Sequence, residues 1–271
     1  MTAETTERTL RQAWAFVFRG YHLTRRYISW VIVFNFYALT GSAAVALIGV
    51  AAHDDRLTLT LVTGALLWNF LSTLYTEIAM SVAYERWEGT LEYTFMAPVP
   101  RLVHLVGLSV YALANSVVNT ATVLVGLVLL TGLDLSGANF PGLLVVMLAS
   151  TLAFVGLAVM AAALPVLSPE RGAEATHIFQ GALLLVSGVY YPVEILPAWI
   201  RPVAALSPAT YTLSACRKLV GIGVPGVPLS AVTGELAILL GMGAVLVPSG
   251  LWVFGRVERW AKRTGRLKRT G

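Results

Sequence analysis

Six long stretches without a charged side chain determine what this chain can fold into. With histidine ignored, they cover residues 27–52, 57–76, 102–133, 135–169, 175–193 and 236–255. A helix needs about 20 mostly apolar residues to cross the hydrocarbon core of a bilayer, so each stretch is long enough. Because 57% of the 271 residues are apolar and only 12% are charged, an ordinary soluble domain is excluded.

We therefore predict an all-α membrane protein with six transmembrane helices. Their approximate bounds are 28–51, 57–80, 104–131, 142–166, 174–190 and 232–254. Residues 28–255 would form a single transmembrane domain. Residues 1–27 would precede it as a cytoplasmic N-terminus, and residues 256–271 would follow it as a basic cytoplasmic tail.

The placement of the basic residues predicts the orientation. Arginines at 8, 11, 19, 25 and 26 precede the first apolar stretch, and seven more basic residues lie between Arg256 and Arg269. Loops on the cytoplasmic side of membrane proteins are enriched in Lys and Arg, so both termini are expected in the cytoplasm. The net charge of +5 then reflects topology in a cytoplasmic membrane, and we expect no nucleic-acid partner.

Several kinds of chemistry have no support in the sequence. No Lys follows a Gly, so the chain has no Walker-type phosphate loop. Cys216 is the only cysteine, which excludes an internal disulfide and a thiolate metal cage. The four histidines lack helical i, i+4 spacing to one another, and no nucleophile–base motif stands out. We expect no catalytic residue and no bound cofactor or metal in this chain.

A short charged segment interrupts the apolar sequence between Tyr84 and Pro100. Read as one helix over 84–97, it predicts an aromatic and apolar face opposite an acidic one, and Pro98 and Pro100 would end it. The apolar face would hold Tyr84, Trp87, Leu91 and Phe95, and the acidic face would hold Glu85, Glu88 and Glu92. Helices that lie on bilayers are usually rich in Lys and Arg, so the carboxylates favour a soluble protein partner over a loop lying on headgroups.

At this segment the chain also resembles a known family. The string Glu85-Arg86-Trp87-Glu88-Gly89-Thr90-Leu91-Glu92, followed by Pro98 and Arg101, is similar to the coupling helix in permease subunits of type-2 ATP-binding-cassette (ABC) exporters. The resemblance implies a six-helix permease with two copies of a separate ABC ATPase, which would bind ATP and Mg²⁺. A second permease copy, most simply in a homodimer, would complete the pathway.

The N-terminal residues and the first two spans carry further candidates. Residues 10–26 predict an amphipathic helix with basic residues that suit a membrane surface. Trp30, Phe34 and Tyr37 form an aromatic row that either faces lipid and neighbouring helices or lines the transport pathway. Glu77 lies near the inner end of the second span, where it is either paired with an arginine or water, or lines the cytoplasmic mouth.

The region between the fifth and sixth spans predicts a broken, partly re-entrant outer hairpin over 191–220. Prolines at 192, 197 and 202 exclude one continuous helix, and the apolar residues between them resist full exposure to water. Ser207 and Pro208 predict the start of a helix that ends before Gly221. Glu194 and Arg201 would either pair or be solvated. The family resemblance implies an outer gate, with candidate residues Tyr190, Tyr191, Pro192, Glu194, Pro197 and Trp199.

The expected function is export of drug-like or antibiotic-like amphipathic molecules across the cytoplasmic membrane, driven by a partner ATPase. A lipid-linked glycan or glycolipid is the alternative cargo, favoured by the aromatic row on the first span. An ATP-independent transporter or channel, or a membrane-anchoring scaffold, would need no ATPase at all.

Overall fold

The computed structural model of the chain describes residues 3–133, 135–168, 170–222 and 226–265, and in these ranges it contains helices and turns but no strand. The α-helices are α1 Ala3–Arg26, α2 Ile28–Ala51, α3 Asp55–Ala79, α4 Ser81–Glu88, α5 Leu91–Met96, α6 Arg101–Thr131, α7 Phe140–Ala161, α8 Ala163–Leu167, α9 Gly172–Val186, α10 Arg201–Ala205, α11 Pro208–Val220 and α12 Thr233–Thr264. Short 3-10 helices cover Val193–Ile195 and Leu229–Val232.

Five segments in the described part of the chain are long and apolar enough to cross a membrane. They are α2, α3, α6, the α7–α8 pair over Phe140–Leu167, and Leu229–Thr264, which contains α12. The fifth predicted span is shorter than expected, because α9 has 15 residues. At 1.5 Å per residue this helix is about 22 Å long, less than the hydrocarbon core of about 30 Å. It stops because Gly188 has a positive φ of 68°.

The central helix of the bundle is α3, which packs against α2, α6, α7, α9 and α11. Its side chains Phe70, Leu74 and Tyr75 lie in the main buried cluster. Polar groups also join α3 to its neighbours: the amide of Asn69 donates to Asn119 Oδ1 at 2.7 Å, and the Gln180 amide donates to Thr76 Oγ1 at 3.1 Å. Asn69 and Asn119 thus join α3 to α6.

In the described part of the chain, the most extensive contact between two helices is that of α7 and α12, where small residues let the backbones approach. A Cβ on Gly156 would lie 2.5 Å from the backbone carbonyl carbon of Leu246. A Cβ on Gly250 would lie 2.6 Å from the carbonyl oxygen of Gly156. The absence of a side chain at Gly156 and Gly250 therefore permits the close packing of these two helices.

One end of the bundle collects several basic side chains. There α1, α4, α5, the start of α6 and the last turns of α12 meet, and Arg19, Arg101 and Lys262 form ion pairs. We call this end the basic end. The N-terminal amphipathic helix predicted for 10–26 is present as α1, but it begins already at Ala3. The predicted tail continues α12 to Thr264, and its residues 266–271 lie outside the described ranges.

Candidate coupling site

The charged segment at the basic end forms two helices, so the prediction of one helix over 84–97 is wrong. Helix α4 ends at Gly89, which adopts the left-handed conformation with φ 74°. The backbone N–H of Thr90 donates to the Glu85 carbonyl at 2.8 Å and closes this end. Helix α5 then begins at Leu91 and ends at Met96, before Pro98 and Pro100, as the prolines predicted.

The break at Gly89 changes which side chains are exposed. Leu91 and Phe95 keep only 1% and 2% of their surface exposed, so they belong to the chain's own core. The prediction that they continue an exposed aromatic face is therefore wrong. Tyr84 and Trp87 are exposed as predicted, with ring centroids 5.6 Å apart.

Sequence reasoning missed two exposed residues on α5. Tyr93 and Met96 expose 79% and 66% of their surface, and the neighbouring carboxylate residues in the sequence, Glu88 and Glu92, are exposed as well. We call the set Tyr84, Trp87, Glu88, Glu92, Tyr93 and Met96 the exposed coupling face. Reading Gly89 as a left-handed helix end would have predicted the new register, because a glycine there stops a helix and turns the chain.

Two charged residues of α4, Glu85 and Arg86, point inward. Glu85 is buried, and its Oε1 accepts from Arg19 Nη1 of α1 at 2.5 Å. The same oxygen lies 3.8 Å from Nε2 of His104. Arg86 is also buried, and burial lowers the pKa of its guanidinium. The prediction that Glu85 lies on an exposed acidic face is wrong, because this carboxylate connects α4 to α1.

Arg101, at the start of α6, connects α5 to α12. Its Nε and Nη2 atoms each lie 2.8 Å from one carboxylate oxygen of Glu258. Nη2 also donates to the Phe95 carbonyl at 3.0 Å, and the guanidinium lies 4.4 Å from the centroid of the Phe95 ring. The Phe95 ring in turn meets the Phe254 ring edge to face, with centroids 6.1 Å apart. Three helices therefore meet at one guanidinium.

The candidate pathway residues lie apart from this site. Trp30, Phe34 and Tyr37 are all exposed on α2, and the first two rings stack at 5.9 Å. They are available to lipid or to another chain. Glu77 is partly buried, and its Oε1 accepts from the Asn115 amide at 2.8 Å. The amide of Asn115 on the neighbouring α6 is therefore a partner of Glu77.

The candidate outer gate lies between α9 and α11. Tyr190 and Tyr191 are partly buried, and the Tyr191 hydroxyl donates to the Leu185 carbonyl. The remaining candidates Pro192, Glu194, Pro197 and Trp199 are exposed. Arg201 donates to the backbone carbonyls of Glu194 at 2.6 Å and Leu196 at 2.9 Å. Arg201 thus orders the backbone of this loop through the carbonyl, and not the carboxylate, of Glu194.

The base of this loop is fixed by contacts that sequence reasoning did not predict. Arg217 of α11 donates to the carbonyls of Gly188 at 3.1 Å and Val189 at 2.6 Å. The Val189 carbonyl lies so close to Gly64 of α3 that a Cβ there would be 2.1 Å away. Ser207 starts α11 as predicted, but its hydroxyl bonds to the Ser187 hydroxyl at 2.7 Å and not to the helix end.

A cavity of about 640 Å³ opens on the side of the bundle. It lies between α7, α9 and α12 and the residues just before α11. Its lining includes Leu157, Phe179, Leu183, Val245 and Leu246, and Ser207 is the polar residue of the lining. A cavity of this size falls within the range of about 300–1,000 Å³ that small-molecule sites occupy.

The fold and the site together define a multi-span helical membrane protein with an exposed aromatic and acidic face at one end and a lateral apolar cavity. Residues 5–220 match the ABC-2 type transporter family. The chain therefore belongs to this family, and the family resemblance drawn from the string at residues 85–92 is confirmed.

A curated relative is the linearmycin resistance permease protein LnrN of Bacillus subtilis (strain 168). The two sequences are 29% identical over 129 residues, which are 46% of this chain and 32% of the relative. The match thus spans about a third of the relative's length.

Proposed function

We propose that this chain is the permease subunit of an ATP-driven exporter, and that a separate ABC ATPase binds the exposed coupling face. The single observation that carries the proposal is the composition of this face. Tyr84, Trp87, Tyr93 and Met96 project apolar surface beside the carboxylates of Glu88 and Glu92. Anionic headgroups repel carboxylates, whereas a protein groove can accept the rings and place cations near the acids.

The orientation in the proposal follows from charge. The basic end would lie in the cytoplasm, so the exposed coupling face would be accessible to a cytoplasmic ATPase and both termini would be cytoplasmic. In this arrangement α9 and the loop after it complete six spans. Two permease copies, most simply a homodimer with two ATPase copies, would enclose the pathway. Tyr190 to Trp199 would then close the pathway on the outer side.

The proposed cargo is a hydrophobic or amphipathic small molecule. The lateral cavity supports it, because its walls are almost entirely apolar and it lies between three helices of the bundle. The name of the relative, a linearmycin resistance permease, is consistent with such a cargo. A lipid-linked glycan is the second candidate, because the stacked Trp30 and Phe34 rings offer a platform for sugar rings.

The test of the ATPase partner is a triple replacement on the exposed face. Trp87→Ala, Tyr93→Ala and Met96→Ala together remove exposed apolar surface without opening the core. The variant should reach the membrane in normal amounts but lose the co-purifying ATPase and lose transport. Phe140→Ala, an exposed aromatic at the start of α7, is the matched control and should retain both. Retention of the ATPase and of transport by the triple variant would contradict the proposal.

The test of the cargo uses the lateral cavity. Ala182→Phe places a ring in the cavity, whereas Ala121→Phe places the same ring on an exposed position of α6. Drug-like amphipaths should stimulate ATP hydrolysis by the native complex and by Ala121→Phe, but much less by Ala182→Phe. Stimulation by lipid-linked sugars alone would instead support the second cargo.

A further inference from the structure

Helix α5 and the end of α12 are joined by contacts of three different kinds. Arg101 forms a bidentate ion pair with Glu258, and it also donates to the α5 carbonyls of Thr94 at 3.3 Å and Phe95 at 3.0 Å. The guanidinium covers the Phe95 ring, and the Phe95 ring contacts Phe254. We call the group Phe95, Arg101, Phe254 and Glu258 the α5–α12 clamp.

The clamp is well suited to hold a fixed geometry. The side chains of Glu258 and Arg101 are only 7% and 20% exposed, so water screens their attraction weakly. A bidentate arginine–carboxylate pair fixes orientation as well as distance. Lys262, one turn further along α12, also pairs with Glu258 at 2.8 Å, but this contact stays within one helix. Among the ion pairs of the described residues, the one with Arg101 therefore connects Glu258 to another element of the coupling site.

Helix α12 leads from the clamp to the lateral cavity without a break. It is a single helix of 32 residues, which at 1.5 Å per residue is about 48 Å long. Pro248 lies inside it, but Leu246 and Gly250 both pack on the backbone of Gly156, so α7 supports α12 on both sides of the proline. Beyond these contacts, Met242 and Val245 line the cavity.

The neighbouring helix α4 forms its ion pair with a different helix. Its Glu85 pairs with Arg19 of α1, and the left-handed Gly89 separates α4 from α5. The exposed coupling face therefore has two halves, one attached to α1 and the other to α12. Motion of α5 therefore has a direct route into α12 through one ion pair, whereas α4 packs on α8, which in turn contacts α12.

We propose that the α5–α12 clamp carries motion of the exposed coupling face into α12, with Arg101 and Glu258 as positioning residues for transport. This inference rests on the proposed function, because an ATPase must supply the motion. A change in the position of α5 would then shift the wall of the lateral cavity that α12 forms. Without the clamp, the ATPase would continue to hydrolyse ATP, but the wall of the cavity would no longer move in response.

The first experiment tests the clamp on the permease alone. Spin labels at Tyr93→Cys and Arg259→Cys, in a Cys216→Ser background, report the distance between α5 and the end of α12 in lipid nanodiscs. The native clamp should give a narrow distance distribution, and Glu258→Gln should broaden it. Glu235→Gln is the matched control, because Glu235 pairs with Lys218 at 2.5 Å near the opposite end of the same helix. This control should leave the distribution narrow.

The second experiment measures transport per ATP hydrolysed by the unlabelled complex. Glu258→Gln should still bind the ATPase and hydrolyse ATP, but transport per ATP should fall about fivefold or more, the usual scale of coupling between sites. Glu235→Gln should keep the native ratio. Arg101→Lys keeps one positive charge but loses the bidentate geometry, so it should give a smaller loss in the same direction, and it replaces Glu258→Gln if that variant does not accumulate.

Each outcome separates the two proposals. An unchanged transport ratio in Glu258→Gln or Arg101→Lys, with the ATPase bound, would overturn the clamp inference and leave the proposed function standing. A broad distance distribution in the native protein would also overturn it. A native chain that never binds an ATPase would instead refute the proposed function, and with it the role of the clamp in transmission.

Discussion

Arg101 and Glu258 are 157 positions apart in the chain, yet their side chains form two hydrogen bonds of 2.8 Å. The pair places the start of α6 against the last turns of α12 and encloses the Phe95 ring between them. The exposed coupling face is thus the outer side of a segment whose inner side is part of the protein core. Its shape depends on residues from three distant parts of the sequence.

The first prediction concerns the free energy of unfolding contributed by this pair. Arg101→Gln or Glu258→Gln leaves the other charge partly buried without its main partner, so each should destabilise the protein by about 2 kcal/mol. The double variant should cost less than the sum of the two single variants, because neither Arg101 nor Glu258 is then left as a buried charge without the other. Cys216 is fully buried, so its reaction with a thiol-reactive fluorophore during heating or denaturant titration reports unfolding. Strict additivity would contradict the pairing.

The second prediction separates the two sides of α5. Phe95→Ala removes a buried ring and should destabilise the protein by about 3–5 kcal/mol. Tyr93→Ala removes an exposed ring two positions earlier and should change stability by no more than about 0.5 kcal/mol. The same Cys216 labelling assay measures both. Similar losses for the two variants would contradict the placement of Phe95 inside the core.

This segment also shows what the sequence could and could not predict. The charges and the two prolines predicted a short helical element at the right place, because these signals are local. The inward orientation of Glu85 and Phe95 could not be predicted, since it depends on Arg19, Arg101 and Phe254. A helical wheel places residues on faces but does not show which face the rest of the chain covers.

The membrane helices also differ in how far the local sequence predicts them. Long charge-free runs predicted α2, α3, α6, α7 and α12, because the apolar length needed to cross a bilayer is a property of one segment. The charge-free run over 175–193 predicted the length of its helix less well. The helix ends before Gly188, and Arg217 of α11 donates to the carbonyl of this turn. The clamp and the lateral cavity both arise between distant segments, so no local pattern signals them.

The third prediction concerns the close contact between α7 and α12. Gly156→Leu or Gly250→Leu would force the two backbones apart, because even a Cβ at either position falls within 2.6 Å of a backbone atom of the facing helix. Overpacking of this kind typically costs about 1–3 kcal/mol or more. Gly241→Ala is the matched control on α12, since its Cβ would meet no atom within 4 Å. That variant should be neutral or slightly stabilising, because alanine favours a helix.

The midpoints of thermal unfolding in detergent would be measured for the native chain and these three variants. Gly156→Leu and Gly250→Leu should unfold at lower temperature than the native chain, and Gly241→Ala should not. Normal midpoints in both leucine variants would show that α7 and α12 pack less closely than their glycines indicate.

The last prediction tests the orientation on which the proposed function depends. Basic residues are retained on the cytoplasmic side, so the exposed coupling face should be inside and Trp199 should be on the outer side. In a Cys216→Ser background, Trp199→Cys should react with a membrane-impermeant thiol reagent added to intact cells, whereas Glu92→Cys should react only after the cells are opened. Both positions are exposed on the protein, so a difference reports sidedness and not burial. The native chain is the control, because Cys216 is buried and should stay unlabelled in either case. Labelling of Glu92→Cys in intact cells would place the coupling face outside, beyond the reach of any cytoplasmic ATPase.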